Sequence, residues 1–255
     1  MNRNTTQRHG GRSRMRVATL VVGFIVGFIA VFFLYRQHII HPNIKIDFNE
    51  YPVRGIDVSA HNGTIDFAKV AGEGNTFVYI KASEGTSFHD SLFVANSRAA
   101  KRVGLKVGAY HFFRKSRDGE QQARNFIAAI KDSKLDLPVV IDIEDWNNDK
   151  DVDNATVVKR LKTMVDLMQG EGYTVMIYTN GDGYKTYYQD SGLSDLPLWI
   201  CSFKEPKEIA DKQHAFHQYS HWGEVQGIKG DVDLDIFNGS QEQWLDFLNS
   251  INPKP

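Results

Sequence analysis

Downstream of Val53 the chain alternates short apolar runs with longer segments whose apolar residues recur at helical spacing. The runs cover residues 55–59, 77–82, 106–112, 138–143, 174–179, 198–202, 216–219 and 232–237, all rich in β-branched or aromatic residues, and they predict eight strands. Between the early runs, residues 91–102, 120–131 and 156–169 read as helices. In the last of these, Val157, Val158, Leu161, Met164, Val165 and Met168 fall on one face. After the fifth run the connections shorten and fill with Gly, Asp and Tyr, leaving no room for full helices until residues 240–248. This order predicts an irregular, TIM-like β/α barrel with depleted helices in its second half. No repeat at solenoid period and no low-complexity linker divides it.

The pattern upstream differs. Arg3, Arg8, Arg12, Arg14 and Arg16 precede an uninterrupted apolar run over 17–35, long enough to cross a bilayer. Arginines ahead of the run keep the start of the chain in the cytoplasm and predict export of the chain beyond residue 36. The residues after Ala30 offer no small-residue cleavage site, so an uncleaved anchor is expected rather than a removed signal peptide. The expected organisation is a basic tail over 1–16, a transmembrane anchor over 17–35, a stalk over 36–52 and one catalytic domain over 53–255. Gly23 and Gly27 form a GxxxG within the run, but two glycines in such a segment are more often incidental than a dimer contact, and a monomer is expected.

Composition narrows the functional classes. Of 30 basic residues seven lie within 1–46, where no acidic residue occurs, so the remainder carries 23 basic against 31 acidic residues. A net acidic domain is a poor nucleic-acid binder. Cys201 is the sole cysteine, so no intrachain disulfide is possible and the core must supply stability.

In a β/α barrel, active sites form at the C-terminal strand ends, and here those ends are polar or aromatic. They carry Asp57, Lys81 with Glu84, Tyr110 with His111, Asp142 with Glu144, Tyr178, Trp199, Gln218 with Tyr219, and Asp233. Asp142 and Glu144 are one residue apart, so on a strand both face the same way with Cα atoms roughly 6.6 Å apart. Their repulsion and partial burial raise the pKa of one of them, as a general acid at neutral pH requires. Taken singly, each residue has a plain explanation: a solvated loop start for Asp-x-Glu, core packing for Tyr110, Tyr178 and Trp199, and a surface ion pair for Lys81 and Glu84. Their convergence on one barrel end favours a site.

The ordered motifs Gly55-Ile56-Asp57-Val58-Ser59, Ile65-Asp66-Phe67, Phe77 to Gly85, Gly108-Ala109-Tyr110-His111-Phe112, Leu137 to Glu144, Leu198-Trp199-Ile200, Gln218-Tyr219-Ser220 and Val232-Asp233-Leu234-Asp235 resemble glycoside hydrolase family 25, the lysozyme-like muramidases. The resemblance spans residues 54–239. It implies hydrolysis of the β-1,4 bond from N-acetylmuramic acid to N-acetylglucosamine in peptidoglycan, with no cofactor or metal. It also implies Glu144 as the acid, Asp57, Asp142 and Asp233 as supporting carboxylates, and Tyr110, Tyr178, Trp199 and Gln218 as the walls of a sugar cleft. Three positions depart from the family pattern: Asn62 for glutamine, Cys201 for alanine and His217 for tryptophan. The last implies a lost stacking surface. Two other readings fit fewer of these residues. One is a barrel that binds peptidoglycan without cutting it, which needs no repelling carboxylate pair. The other is a metal-dependent sugar deacetylase built on Asp57, His111 and Asp142.

Overall fold

The computed structural model describes residues 44–251 and, upstream, residues 23, 24, 26–28, 31 and 32. The expected anchor over 17–35 lies largely outside the described residues. Those described within it are helical, and no helix among the described residues is long and apolar enough to cross a membrane.

Within residues 44–251 the strands are β1 (Arg54–Val58), β2 (Asn75–Glu84), β3 (Phe88–His89), β4 (Lys106–Phe112), β5 (Val139–Asp142), β6 (Val175–Asn180), β7 (Leu198–Cys201), β8 (Phe216–Gly223) and β9 (Val232–Phe237). All eight expected strands are present. The unforeseen β3 is a two-residue hairpin partner of the β2 end, pairing Ser83 with His89. Strands β1, β2, β4, β5, β6, β7 and β8 run parallel in that order, and β9 closes the circle by pairing antiparallel with both β8 and β1. A uniformly parallel barrel would require a long crossover before the last strand. Here only residues 224–231 join β8 to β9, so the chain turns back.

Helices Phe93–Arg102, Gly119–Ile130, Asn154–Gly170 and Gln241–Ser250 occupy the predicted segments. Their starts are set by side chains that accept otherwise unpaired N–H groups: Asp118 from Gln121, Asp153 from Thr156, and Ser240 from Gln243 in a capping box. The second half is indeed poor in helix. Its connections hold only the turns Gly181–Gly183, Tyr184–Gln189 and Pro206–Lys212. Residues 47–51, at the end of the expected stalk, fold into a turn against the barrel, with the Arg54 guanidinium 4.6 Å from the Phe48 ring centre and Lys207 3.0 Å from Glu50.

Side-chain alternation separates two cores. Ile56, Val78, Ile80, Val107, Ile141, Ile177 and Ile200 face outward and pack under the helices. Phe77, Tyr79, Val140, Met176, Trp199, Phe216 and Phe237 face inward and fill the lower barrel, which Trp244 and Phe247 of the last helix plug. Gly55 and Gly108 make this filling possible: a Cβ on Gly55 would stand 2.4 Å from the Phe77 ring, and one on Gly108 2.1 Å from the Tyr79 ring. With its lower end filled by rings, the barrel opens at the rim where its parallel strands end.

Candidate active site

That rim encloses a cleft of about 720 Å³. Ten of the expected residues line it: Asp57, Lys81, Glu84, Tyr110, Asp142, Glu144, Tyr178, Trp199, Gln218 and Asp233. Asp233 reaches it for a different reason from the others. It lies near the start of β9, and because β9 runs backwards that start is at the rim, where Asp233 pairs with Asp57 of β1.

Two expected residues lie elsewhere, and strand parity explains both. His111 comes directly after the inward-facing Tyr110 and so points out of the barrel. It is fully buried with Ser83 Oγ 2.8 Å from Nδ1 and Gln122 Oε1 3.3 Å from Nε2, and burial lowers its pKa to about 4. It therefore does not join Asp57 and Asp142, and the metal-centred alternative loses its nitrogen ligand. Tyr219 likewise comes after the inward Gln218 and packs 6.3 Å from the His217 ring on the outer side. His217 shares that side, donating from Nε2 to Ser202 O at 2.7 Å, so the departure at this position removes no stacking surface from the cleft.

Hydrogen bonds fix the floor. Tyr178 Oη donates to Gln218 Oε1 at 2.7 Å, and Gln218 Nε2 donates to Asp57 Oδ2 at 2.6 Å. Trp199 Nε1 donates to Asp235 Oδ1 at 3.0 Å while its ring stacks on Tyr79 at 4.8 Å. On one wall, Glu84 accepts from Lys81 at 2.6 Å and from Arg114 Nε at 2.8 Å. Burial works against the Glu84 carboxylate, but these two cations outweigh it and hold its pKa below the usual range. Lys81 and Glu84 thus form part of the cleft wall rather than a surface bridge.

Asp142 and Glu144 differ in surroundings. Asp142 is 7% exposed, and its Oδ1 is buried without a hydrogen-bond partner. Burial first, then the charges of Glu144 and Asp57, push its pKa well above the carboxylate range. Glu144, just past the end of β5 and half-buried, is raised to about 7, chiefly by burial, with His221 lowering it and Asp233 and Asp145 raising it. Asp57 and Asp235 are also raised, by burial and then by neighbouring carboxylates. A group that holds its proton near neutrality thus stands beside a buried acceptor that has nothing to accept from, which is an arrangement for proton donation to a bound ligand.

The structure adds residues that no sequence pattern singles out. His221 Nδ1 lies 2.7 Å from Asp233 Oδ1, and its Nε2 lies 3.6 Å from Cys201 Sγ. Phe203, His221 and Trp222 form a ring cluster with centres 5.0 to 5.8 Å apart, and Trp146 stands at the mouth. His221 and Trp222 belong to β8 beyond the stretch expected as strand, and Trp146 to a loop, so no periodicity points to them. The proximity of Trp146 to Glu144 is the one available signal.

Comparison with known proteins places this geometry. Residues 56–228 match the description "Glycosyl hydrolases family 25". The autolytic lysozyme of Clostridium acetobutylicum is 34% identical over 189 residues, covering 73% of this chain and 56% of that protein, so the chain spans little more than half of that relative. Lysozyme M1 of Streptomyces globisporus is 32% identical over 213 residues, covering 78% and 72% respectively. Among solved structures, a family 25 glycosyl hydrolase from Bacillus anthracis superimposes with a TM-score of 0.72 at 31% identity, over 80% of this chain and 96% of that one.

Proposed function

The chain belongs to the family 25 glycosyl hydrolases, and we propose that it is a peptidoglycan hydrolase of the N-acetylmuramidase type, cutting the β-1,4 bond between N-acetylmuramic acid and N-acetylglucosamine. The substrate class is supported by relatives named lysozymes. The observation that carries the mechanism is the unlike pair of carboxylates: Glu144 half-buried with a pKa of about 7, and Asp142 buried with an unpartnered oxygen.

In this reading Glu144 protonates the leaving oxygen. Direct attack by Asp142 would require it to face the opposite side of the sugar from the acid, yet both rise from one strand end and point the same way. The 2-acetamido group of the muramic acid unit is the alternative nucleophile. Its N–H fits the orphaned Asp142 Oδ1; once Asp142 has given up to solvent the proton that its burial favours, the carboxylate orients the amide and stabilises the oxazolinium ion as the acetamido oxygen closes on the anomeric carbon. Glu144, now ionised, then takes a proton from the water that opens this ring. Asp57 and Asp233 hold sugar hydroxyls, and the half-buried Tyr110 offers its ring to the apolar side of the pyranose above the buried Tyr178 and Trp199.

Mass spectrometry of fragments from purified peptidoglycan tests the bond: muramic acid at every new reducing end is expected, and N-acetylglucosamine there would refute it. A thiazoline analogue of the muramic acid unit is expected to inhibit competitively, whereas a covalent glycosyl adduct on Asp142 would make it the nucleophile. We further propose that residues 17–35 anchor the enzyme with its catalytic domain outside the cytoplasm. A reporter fused after Pro255 is then active only in an exported compartment, and release of a shorter chain starting near Arg36 would overturn the anchor.

A further inference from the structure

Trp146 is 71% exposed, more than any other large apolar side chain among residues 44–251. An indole left in water normally sits on a mobile or indifferent stretch of surface, but the loop that presents Trp146 is held on both sides. Before it, Asp145 accepts from Lys115 Nζ and from Tyr187 Oη, each at 2.7 Å, and Lys115 is itself only 4% exposed. After it, Asn147 adopts φ +51°, and its carbonyl accepts from Arg114. Asn148 Nδ2 then donates to Phe113 O at 2.7 Å, while Asn148 Oδ1 accepts from Lys115 N at 3.0 Å. A buried lysine and a left-handed asparagine are committed to fixing a turn whose outward product is one exposed ring at the cleft mouth.

Its place in the chain indicates what it meets. A general acid stands beside the leaving oxygen, and Trp146 lies just beyond Glu144 on the same anchored loop. Further round the rim, the cluster of Phe203, His221 and Trp222 lines the same cleft. The geometry points to Trp146 as the stacking platform that grips the sugar ring on the leaving-group side. This rests on the muramidase reading, in which that ring is N-acetylglucosamine, and adds the residue that grips it. Stacking on a rigid, already exposed ring binds sugar without the entropic cost of ordering the loop.

The test compares two substrates in wild type, Trp146→Ala and Trp146→Phe. One is glycan strands stripped of stem peptides, which place sugars on both sides of the scissile bond. The other is the β-glycosyl fluoride of an oligosaccharide ending in N-acetylmuramic acid, which has no ring on the leaving side. Trp146→Ala is expected to raise KM for the strands about tenfold while leaving KM for the glycosyl fluoride within about twofold, and Trp146→Phe to restore most of the loss. Circular dichroism verifies folding, which an exposed position should not disturb. An unchanged KM for the strands, or an equal rise for both substrates, would overturn the subsite alone. A wild-type enzyme that cleaves neither substrate would overturn the muramidase reading and the subsite with it.

Discussion

At the closed end of the barrel Phe216 meets Phe77, Tyr79 and Phe237 edge to face at 5.1 to 5.6 Å, and Trp244 seals them from below. At the open end Asp57, Asp142, Glu144, Asp233 and Asp235 converge on the same interior, and burial raises Asp57, Asp142 and Asp235 well above the carboxylate range. Both layers project inward from the same strands. The lower one contributes buried apolar area and ring packing, whereas the upper one holds charge where charge is poorly solvated. The difference teaches how this fold distributes its stability: the aromatic floor holds the strands together firmly enough for the carboxylate layer above it to remain unfavourable.

The sharpest separation of the layers is Glu144→Gln. It keeps size and packing but cannot donate a proton, so turnover on cell wall is expected to fall by about two to four orders of magnitude with an unchanged melting temperature. Near-normal lysis by the folded variant would remove Glu144 from the chemistry. The converse change is Phe216→Ala in the floor. It opens a cavity among the rings of Phe77, Tyr79, Phe237, Trp244 and Phe247. It is expected to destabilise the fold by about 3–5 kcal/mol in denaturant titration, while kcat well below the melting point stays within a few fold. A large loss of kcat there would mean that the floor also shapes the chemistry, and the comparison would fail.

Asp142→Asn gives a smaller effect of opposite sign on stability. Asp142 has a folded pKa above its unfolded value, so its contribution is fully present at pH below the unfolded value and is lost as pH rises through the folded one. The amide removes that loss: the variant is expected to gain about 0.5–2 kcal/mol at pH 8 while losing most of its activity. Its melting temperature should also fall less than that of wild type as pH rises above the unfolded carboxylate value. The buried histidines outside the cleft bound the other side. His111, His214 and His217 are lowered to about 4, so the stability they contribute is present above the ordinary histidine value and drains away as pH falls towards 4. Asp142→Asn leaves that acid-side slope untouched.

The two layers are not equally legible in the sequence. Strand parity and apolar runs are local signals, and they locate the eight barrel strands and ten of the cleft residues. Grouping residues by strand end alone misleads at the third and seventh barrel strands, because adjacent strand residues face opposite sides and His111 and Tyr219 turn away from their inward neighbours. His217 turns away for the same reason. The reversal of β9 is hidden because strand direction depends on the connection over residues 224–231, not on composition. His221, Trp222 and Trp146 lie outside the predicted strands, and tertiary contacts bring them to the cleft: a hydrogen bond to β9, an aromatic cluster and an anchored loop.

The smallest predicted effect tests whether the carboxylate layer behaves as one electrostatic unit. Glu144 must hold its proton to act as the acid, so with its pKa at about 7 the activity of wild type is expected to decline above that pH. The groups that bear on Glu144 are His221, which lowers its pKa, and Asp233 and Asp145, which raise it. His221 also lies 2.7 Å from Asp233. His221→Gln removes the neighbour that lowers Glu144, and it deprives Asp233 of its imidazole partner. Removing the neighbour that lowers Glu144 favours the protonated acid. The alkaline limb of the kcat–pH profile should therefore move to higher pH, with little change in kcat on its plateau. Phe216→Ala, which alters only the floor, should leave the limb where it is. A limb that moves downward in His221→Gln, or moves as far in Phe216→Ala, would show that Glu144 is set by something other than the charges around the rim.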